Sequence, residues 1–143
     1  MKQAVEYKMK AKKVDFENIN INSSESAYNF SKKFFSDDIL IYESCFIILM
    51  GARRTIGFVK ISQGGLDRTF VDVRLIVKAA IDTLALRVIL VHNHPSGNLR
   101  PSKEDDQLTR QVQAALELFN IKLEDHLIIT DEWFYSYHDE GRI

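Results

Sequence analysis

Cysteine is almost absent: Cys45 is the only one in 143 residues. A lone thiol excludes an internal disulfide and the multi-cysteine frameworks of zinc fingers and zinc deaminases, and it fits a reducing cytoplasm. Long apolar runs are missing as well. No stretch approaches the 18 or so uninterrupted apolar residues of a membrane span, and Met1–Glu6 lacks the apolar run of a secretory signal, so neither secretion nor a membrane is expected. With two prolines and six glycines, no Pro/Gly-rich linker divides the chain, and neither a repeat nor a low-complexity tract is visible. An excess of one charge is lacking too. The 19 Lys plus Arg against 20 Asp plus Glu leave a net charge of -1, without the basic surplus of a dedicated nucleic-acid binder.

What is present suits one globular domain: 45% hydrophobic and 27% charged residues. A chain of this length buries roughly 70% of the surface it exposes when unfolded, so it needs neither disulfides nor a structural metal to hold together. A metal in it would therefore serve function. Charge is uneven at one end, where Lys2, Lys8, Lys10, Lys12 and Lys13 face Glu6 alone. Residues 1–20 read as a basic N-terminal arm, with Val5–Val14 able to form an edge strand, and residues 21–143 as the domain proper. Such an arm can touch the phosphates of DNA, although basic arms are more often simply solvated.

Ser23 or Ser24 offers a cap for an amphipathic helix carrying Ala27, Phe30, Phe34 and Phe35 and ending near Asp37–Asp38. Cys45–Met50 is a continuous apolar run, broken by Gly51–Arg54 and resumed over Thr55–Ile61, which predicts a hairpin. Gly64-Gly65 marks a turn. Leu75, Ile76, Ala79, Ala80 and Leu84 recur at helical spacing before a strand at Arg87–Val91. A loop at Pro95 and Gly97 leads to a helix from Ser102 through Phe119, then a strand at His126–Thr130 and a short last one within Phe134–His138. The sum is a mixed α/β domain with helices on a mainly antiparallel sheet.

His92 and His94 stand two apart at a strand end, where side chains at i and i+2 point the same way. Asp105, three residues after Ser102, falls in the first turn of the following helix. Two imidazoles and one carboxylate make a three-ligand set that leaves a fourth position for water, as catalytic zinc requires. Zinc lowers the pKa of such a water to about 7 and can polarise a carbonyl. Glu43, just before the buried run, is the best placed general base, and the Ser102 hydroxyl can donate to a developing oxyanion. Each residue has a plainer explanation. Ser102-Lys103-Glu104-Asp105 is a fair capping box, His92 alone suits a hydrogen-bonded core histidine, and Glu43 alone a solvated strand start. Their conjunction decides the matter: the spaced string from His92 to Asp105 arises by chance in about one chain in 10^5 of this length.

That string, His92-x-His94-Pro95, six residues, then Ser102-x-x-Asp105, resembles the JAMM signature of the JAB/MPN metalloproteases. With His92–Gly97, Pro101, Thr109 and Asp125–Ile128 it is similar to RadC in particular, from about Glu43 to Ser136. The resemblance implies a cytidine-deaminase-like α/β/α sandwich, one zinc ion at His92, His94 and Asp105, Glu43 as acid/base and Ser102 as oxyanion partner. In one respect the chain departs from the family: at 143 residues it is not expected to include the N-terminal helical DNA-binding region of full-length RadC proteins, nor a DNA-repair role with it.

The expected activity is hydrolysis of an amide or isopeptide bond in a peptide or protein substrate. The alternatives are a JAB scaffold that binds protein or DNA without catalysis and, ranked last, a metal-dependent nuclease. His126 could support the metal site from behind its ligands, but opening an apolar strand it reads rather as a structural histidine, and not as a ligand. Cys45 reads as a buried small hydrophobe, and Trp133, Phe134, Tyr135 and Tyr137 as residues that close a core. Arg53, Arg54 and Arg100 are candidates for a substrate-facing rim, though exposed arginines are common in turns. Nothing decides the oligomeric state.

Overall fold

Alternation along two central strands organises the molecule, for which the computed structural model describes residues 1–15, 17–64 and 70–143. Strands β1 (Ser44–Met50) and β3 (Arg87–Asn93) are buried almost throughout, so successive side chains serve two different cores. Cys45, Ile47, Leu49, Val88 and Leu90 pack on one face with Ile76, Ala80, Val112 and Leu116. Phe46, Ile48, Met50, Ile89 and Val91 pack on the other with Ala27, Tyr28 and Phe30. The layers are thus one helix, a sheet and two helices, the expected α/β/α arrangement.

The helices are α1 (Ser24–Ser31), α2 (Val73–Asp82) and α3 (Lys103–Glu117). The remaining strands are β2 (Thr55–Gln63), β4 (Lys122–Ile129) and β5 (Phe134–Ser136), and the sheet order is β2-β1-β3-β4-β5. Three neighbouring pairs are antiparallel, while β3 and β4 run parallel. A parallel pair needs a crossover, which α3 supplies. The crossover brings the C-terminal end of β3 next to the N-terminus of α3, and His92, His94 and Asp105 lie at that junction.

Register along β4 slips once, between the pairs Val88↔Leu123 and Ile89↔Asp125, leaving Glu124 as an extra residue. A bulge of one residue reverses which face later side chains take. Leu123 accordingly packs with Val88 and Leu90, whereas Leu127 and Ile129 pack on the opposite face. His126 is thereby delivered to the face that carries His92.

The structure corrects several expectations from sequence. Val5–Val14 forms no strand; its side chains are exposed, and with lysines between them they offer no apolar face to bury. The chain joins the sheet only at Ile19, which exchanges bonds with Thr55. The first helix ends at Ser31 and gives way to 3-10 turns at Lys32–Phe34 and Asp37–Leu40. An α-helix turns adjacent residues about 100° apart. The tighter turn and an extended Phe35 let both Phe34 and Phe35 reach Phe46, at 5.2 and 5.0 Å between ring centroids. Leu84 lies beyond α2 with φ of 53°, exposed, in the left-handed conformation that closes the helix end. Strand β4 starts four residues earlier than its apolar run, because Lys122, Leu123 and Asp125 still pair with β3. Phe119 is likewise beyond its helix and half exposed. The second glycine of the Gly64-Gly65 turn lies outside the described residues. Among the described residues no helix is long and apolar enough to cross a membrane.

Candidate metal centre

Glu43, His92, His94 and Asp105 each present a ligand-type atom, and these atoms all lie within 4.8 Å of one another. Three of them are closer still. His92 Nε2 lies 3.0 Å from His94 Nε2 and 3.1 Å from Asp105 Oδ1, and His94 Nε2 lies 3.3 Å from Asp105 Oδ2. A tetrahedral zinc ion with its usual bonds spaces its ligands by about 3.3 Å, so this triangle has the size of one tetrahedral face. Glu43 Oε1 stands further out, 3.9 Å from His92 Nε2 and 3.7 Å from His94 Nε2.

The chemistry of the donor set points the same way. His94 Nδ1 lies 2.7 Å from the Asn98 carbonyl, which can only accept, so Nδ1 carries the proton and Nε2 of the neutral ring is bare. Bare nitrogens and carboxylate oxygens turned toward one point repel unless a cation or a proton sits among them. The groups present therefore fit a divalent metal ion. Burial disfavours the charged form of Asp105, but in the absence of a cation any proton shared with the facing His92 and His94 nitrogens, together with the backbone N–H of Ser102, overrides it and holds the carboxyl well below the usual range. Burial likewise works against a charged His94, but a proton shared with Asp105 and the bond to Asn98 reverse that and leave its pKa raised.

Local structure explains each position. Ser102 Oγ accepts from the Asp105 N–H at 3.0 Å, and Asp105 Oδ2 accepts from the Ser102 N–H at 2.8 Å, a reciprocal cap on α3. Capping and metal facing, which compete as readings of the sequence, are one arrangement: the same carboxylate does both. Because Ser102 Oγ accepts from the backbone, its own proton is the part left to donate. Glu43 is set by the loop before β1, which Asn93 fastens. Asn93 Oδ1 accepts from Ser44 N, and its amide donates to the carbonyls of Ile39 and Tyr42, each at 2.8 Å.

The four groups open into a cleft of about 770 Å3 that is also walled by Phe70, Val71, Pro95 and Leu108. Among the described residues no Lys or Arg lines it. The arginine rim does not form as expected. Arg53 and Arg54 follow Met50, which pairs with Arg87, while the site is at the Cys45↔His92 end, about 17 Å away along the strands. Arg100 is exposed in the loop between the histidines and α3, outside the cleft lining. Cys45 is fully buried, and burial, with Glu43 and Asp105 nearby, pushes its thiol far up, as suits a packing residue. Tyr137 closes the core, whereas Trp133 stays half exposed.

Two contacts favour the weaker of the two readings of His126. His126 is fully buried, as a structural histidine should be, yet its Nε2 lies 2.8 Å from His92 Nδ1. Its Nδ1 lies 2.6 Å from Thr109 Oγ1. Burial, and then the neighbouring His92, lower its pKa well below that of a free imidazole, so the ring is neutral. Both Thr109 and His126 stand in the string that resembles RadC, which is the one signal that singles them out.

A five-strand mixed sheet flanked by helices, with this cluster at its only described parallel junction, is the architecture of a JAB/MPN-like domain. The chain belongs to the family of RadC-like JAB domains, which it matches over residues 21–142. A UPF0758 protein of Porphyromonas gingivalis is 42% identical over 124 residues, covering 85% of this chain and 54% of that protein. One from Flavobacterium johnsoniae is 38% identical over 122 residues, covering 85% of this chain and 52% of that protein. A third, from Streptococcus gordonii, is 46% identical over 77 residues. The chain therefore spans about half the length of the first two relatives.

Proposed function

We propose that this domain hydrolyses an amide bond, in a peptide or an isopeptide, at a centre where His92, His94 and Asp105 hold one zinc ion. The observation that carries the reading is the convergence of these three with Glu43 within 4.8 Å. A zinc ion there supplies a water with its pKa lowered to about 7 and a positive charge beside the scissile carbonyl.

The chain's own residues do the rest. Glu43 is too distant to complete the ligand triangle, yet it is near enough to take a proton from a water seated beside the histidines. As the water oxygen bonds to the carbonyl carbon and the C–N bond breaks, Glu43 hands that proton to the leaving amine. Ser102 donates a hydrogen bond from its hydroxyl, keeping the proton, to the carbonyl oxygen as negative charge develops there. Phe70, Val71 and Leu108 offer an apolar wall for a side chain next to the scissile bond. Among the described lining residues Glu43, Glu104 and Asp105 are acidic and none is Lys or Arg, so the cleft around the ion suits a neutral or cationic substrate side chain. A DNA contact, if any, belongs to the exposed lysines of residues 1–13 and should weaken steeply with salt.

The test is zinc content followed by cleavage of a broad peptide and isopeptide panel. Wild type and Glu43→Gln should take up equal zinc, with cleavage only by wild type. A zinc-loaded wild type that cuts nothing and matches Glu43→Gln throughout would overturn the reading.

A further inference from the structure

His92 Nε2 can hold a cation only if the ring proton sits on Nδ1, and a chain of hydrogen bonds dictates where that proton is. It starts at a group without a choice. The Asp105 backbone carbonyl can only accept, so Thr109 Oγ1, 2.8 Å away, gives it the single hydroxyl proton. Only lone pairs then remain on Thr109 Oγ1 for His126 Nδ1, which must be the protonated nitrogen of that ring. The neutral ring is left with a bare Nε2, and His92 Nδ1 must donate to it across 2.8 Å. His92 Nε2 is thus stripped of its proton on the side that faces His94 and Asp105.

The ring that relays this choice is held firmly. Tyr137 stacks on His126 at 4.8 Å between centroids with the planes 8° apart, and the His126 backbone N–H is bound by Asp125 Oδ1 at 2.7 Å. Tyr137 is itself anchored by its hydroxyl to Asp106. Neither Thr109 nor His126 offers an atom to the centre; both act through His92.

We propose that Thr109 and His126 are positioning residues that fix the tautomer and aim of His92, and through it the affinity of the centre for a zinc-like divalent cation. The proposal rests on the metal-centre reading above. Partners that orient a metal-binding histidine typically change affinity by about 10–100-fold when removed.

The probe is Zn2+ alone, competed against a chromophoric chelator, on the full chain without substrate. Thr109→Val keeps the volume and removes the hydroxyl, so it should weaken zinc binding by about 10–100-fold. Thr109→Ser, which restores the hydroxyl, should bind close to wild type. In parallel, long-range 1H–15N spectra of the metal-free wild type at about pH 8, where ordinary imidazoles are neutral, should show His92 and His126 both protonated on Nδ1. In Thr109→Val the His126 proton should move to Nε2. A His92 proton on Nε2 in wild type overturns the proposal without any variant, even if Thr109→Val fails to fold. Equal zinc affinity in all three proteins overturns it while leaving the metal reading intact; a wild type that takes up no zinc sinks both.

Discussion

His92 and Asn93 are neighbours at the end of β3, and strand alternation sends them to opposite faces of the sheet. Both are buried and polar. Asn93 uses both amide protons and its oxygen in bonds inside the protein, tying down the loop that carries Glu43. His92 instead turns a nitrogen toward other electron-rich atoms, an arrangement that folding alone does not favour. The difference separates two kinds of buried polarity: a satisfied residue builds the scaffold, and one left wanting a cation marks the chemistry. The faces behind them differ in the same sense. Behind Asn93 lies a cluster of aromatic rings from Phe34, Phe46 and Phe58. The aliphatic core behind His92 runs into ionisable groups at the sheet's end.

The strongest way to break this comparison is to damage the aromatic face alone. Phe46→Ala removes a ring packed against Phe34, Phe35 and Phe58, at an expected cost of about 3–5 kcal/mol in chemical denaturation. Zinc stoichiometry of the folded fraction should not change; if folded Phe46→Ala lost its zinc, the two faces would not be independent. Asn93→Ala should cost about 1–3 kcal/mol, because it orphans buried backbone groups. It should also impair cleavage with zinc retained, since the Glu43 loop loses its fastening. Intact cleavage would show that Glu43 is positioned by something else. The smallest effect concerns pH. Burial raises the Asp125 carboxyl, against its bonds to Ser136, His138 and His126. A group whose folded pKa is raised binds its proton more tightly when folded, so its contribution is greatest when protonated and declines as pH rises through that raised value. Melts compared with Asp125→Asn should show wild type losing relative stability from about pH 4 upward, and a difference flat with pH would mean the carboxyl is not perturbed.

Much of this was legible in the sequence, for a physical reason. His92, His94, Ser102 and Asp105 lie within 14 residues on one strand end, one loop and one helix start, so local periodicity suffices to bring them together. The pairing of Cys45 with His92, which sets Glu43 beside the histidines, depends on sheet order, and no local pattern encodes that. The part played by His126 was hidden more deeply. Its face is decided by one extra residue at Glu124, and a bulge breaks the very alternation from which a face would be read. The arginine rim failed for a related reason, since a hairpin turn reads alike whichever end of the sheet it occupies.

The double duty of Asp105 has a thermodynamic consequence. Its carboxylate closes the first turn of α3 and faces the histidines at once, so a cation held there can leave α3 free to fray only by giving up one of its own ligands. Occupancy and helix ordering become linked equilibria: an ion that binds only the folded form, at a thousandfold excess over its Kd, adds about 4 kcal/mol to stability. Amide exchange at Glu104, Asp105 and Asp106 should then slow in proportion to occupancy, which makes the start of α3 a reporter of whether the centre is filled.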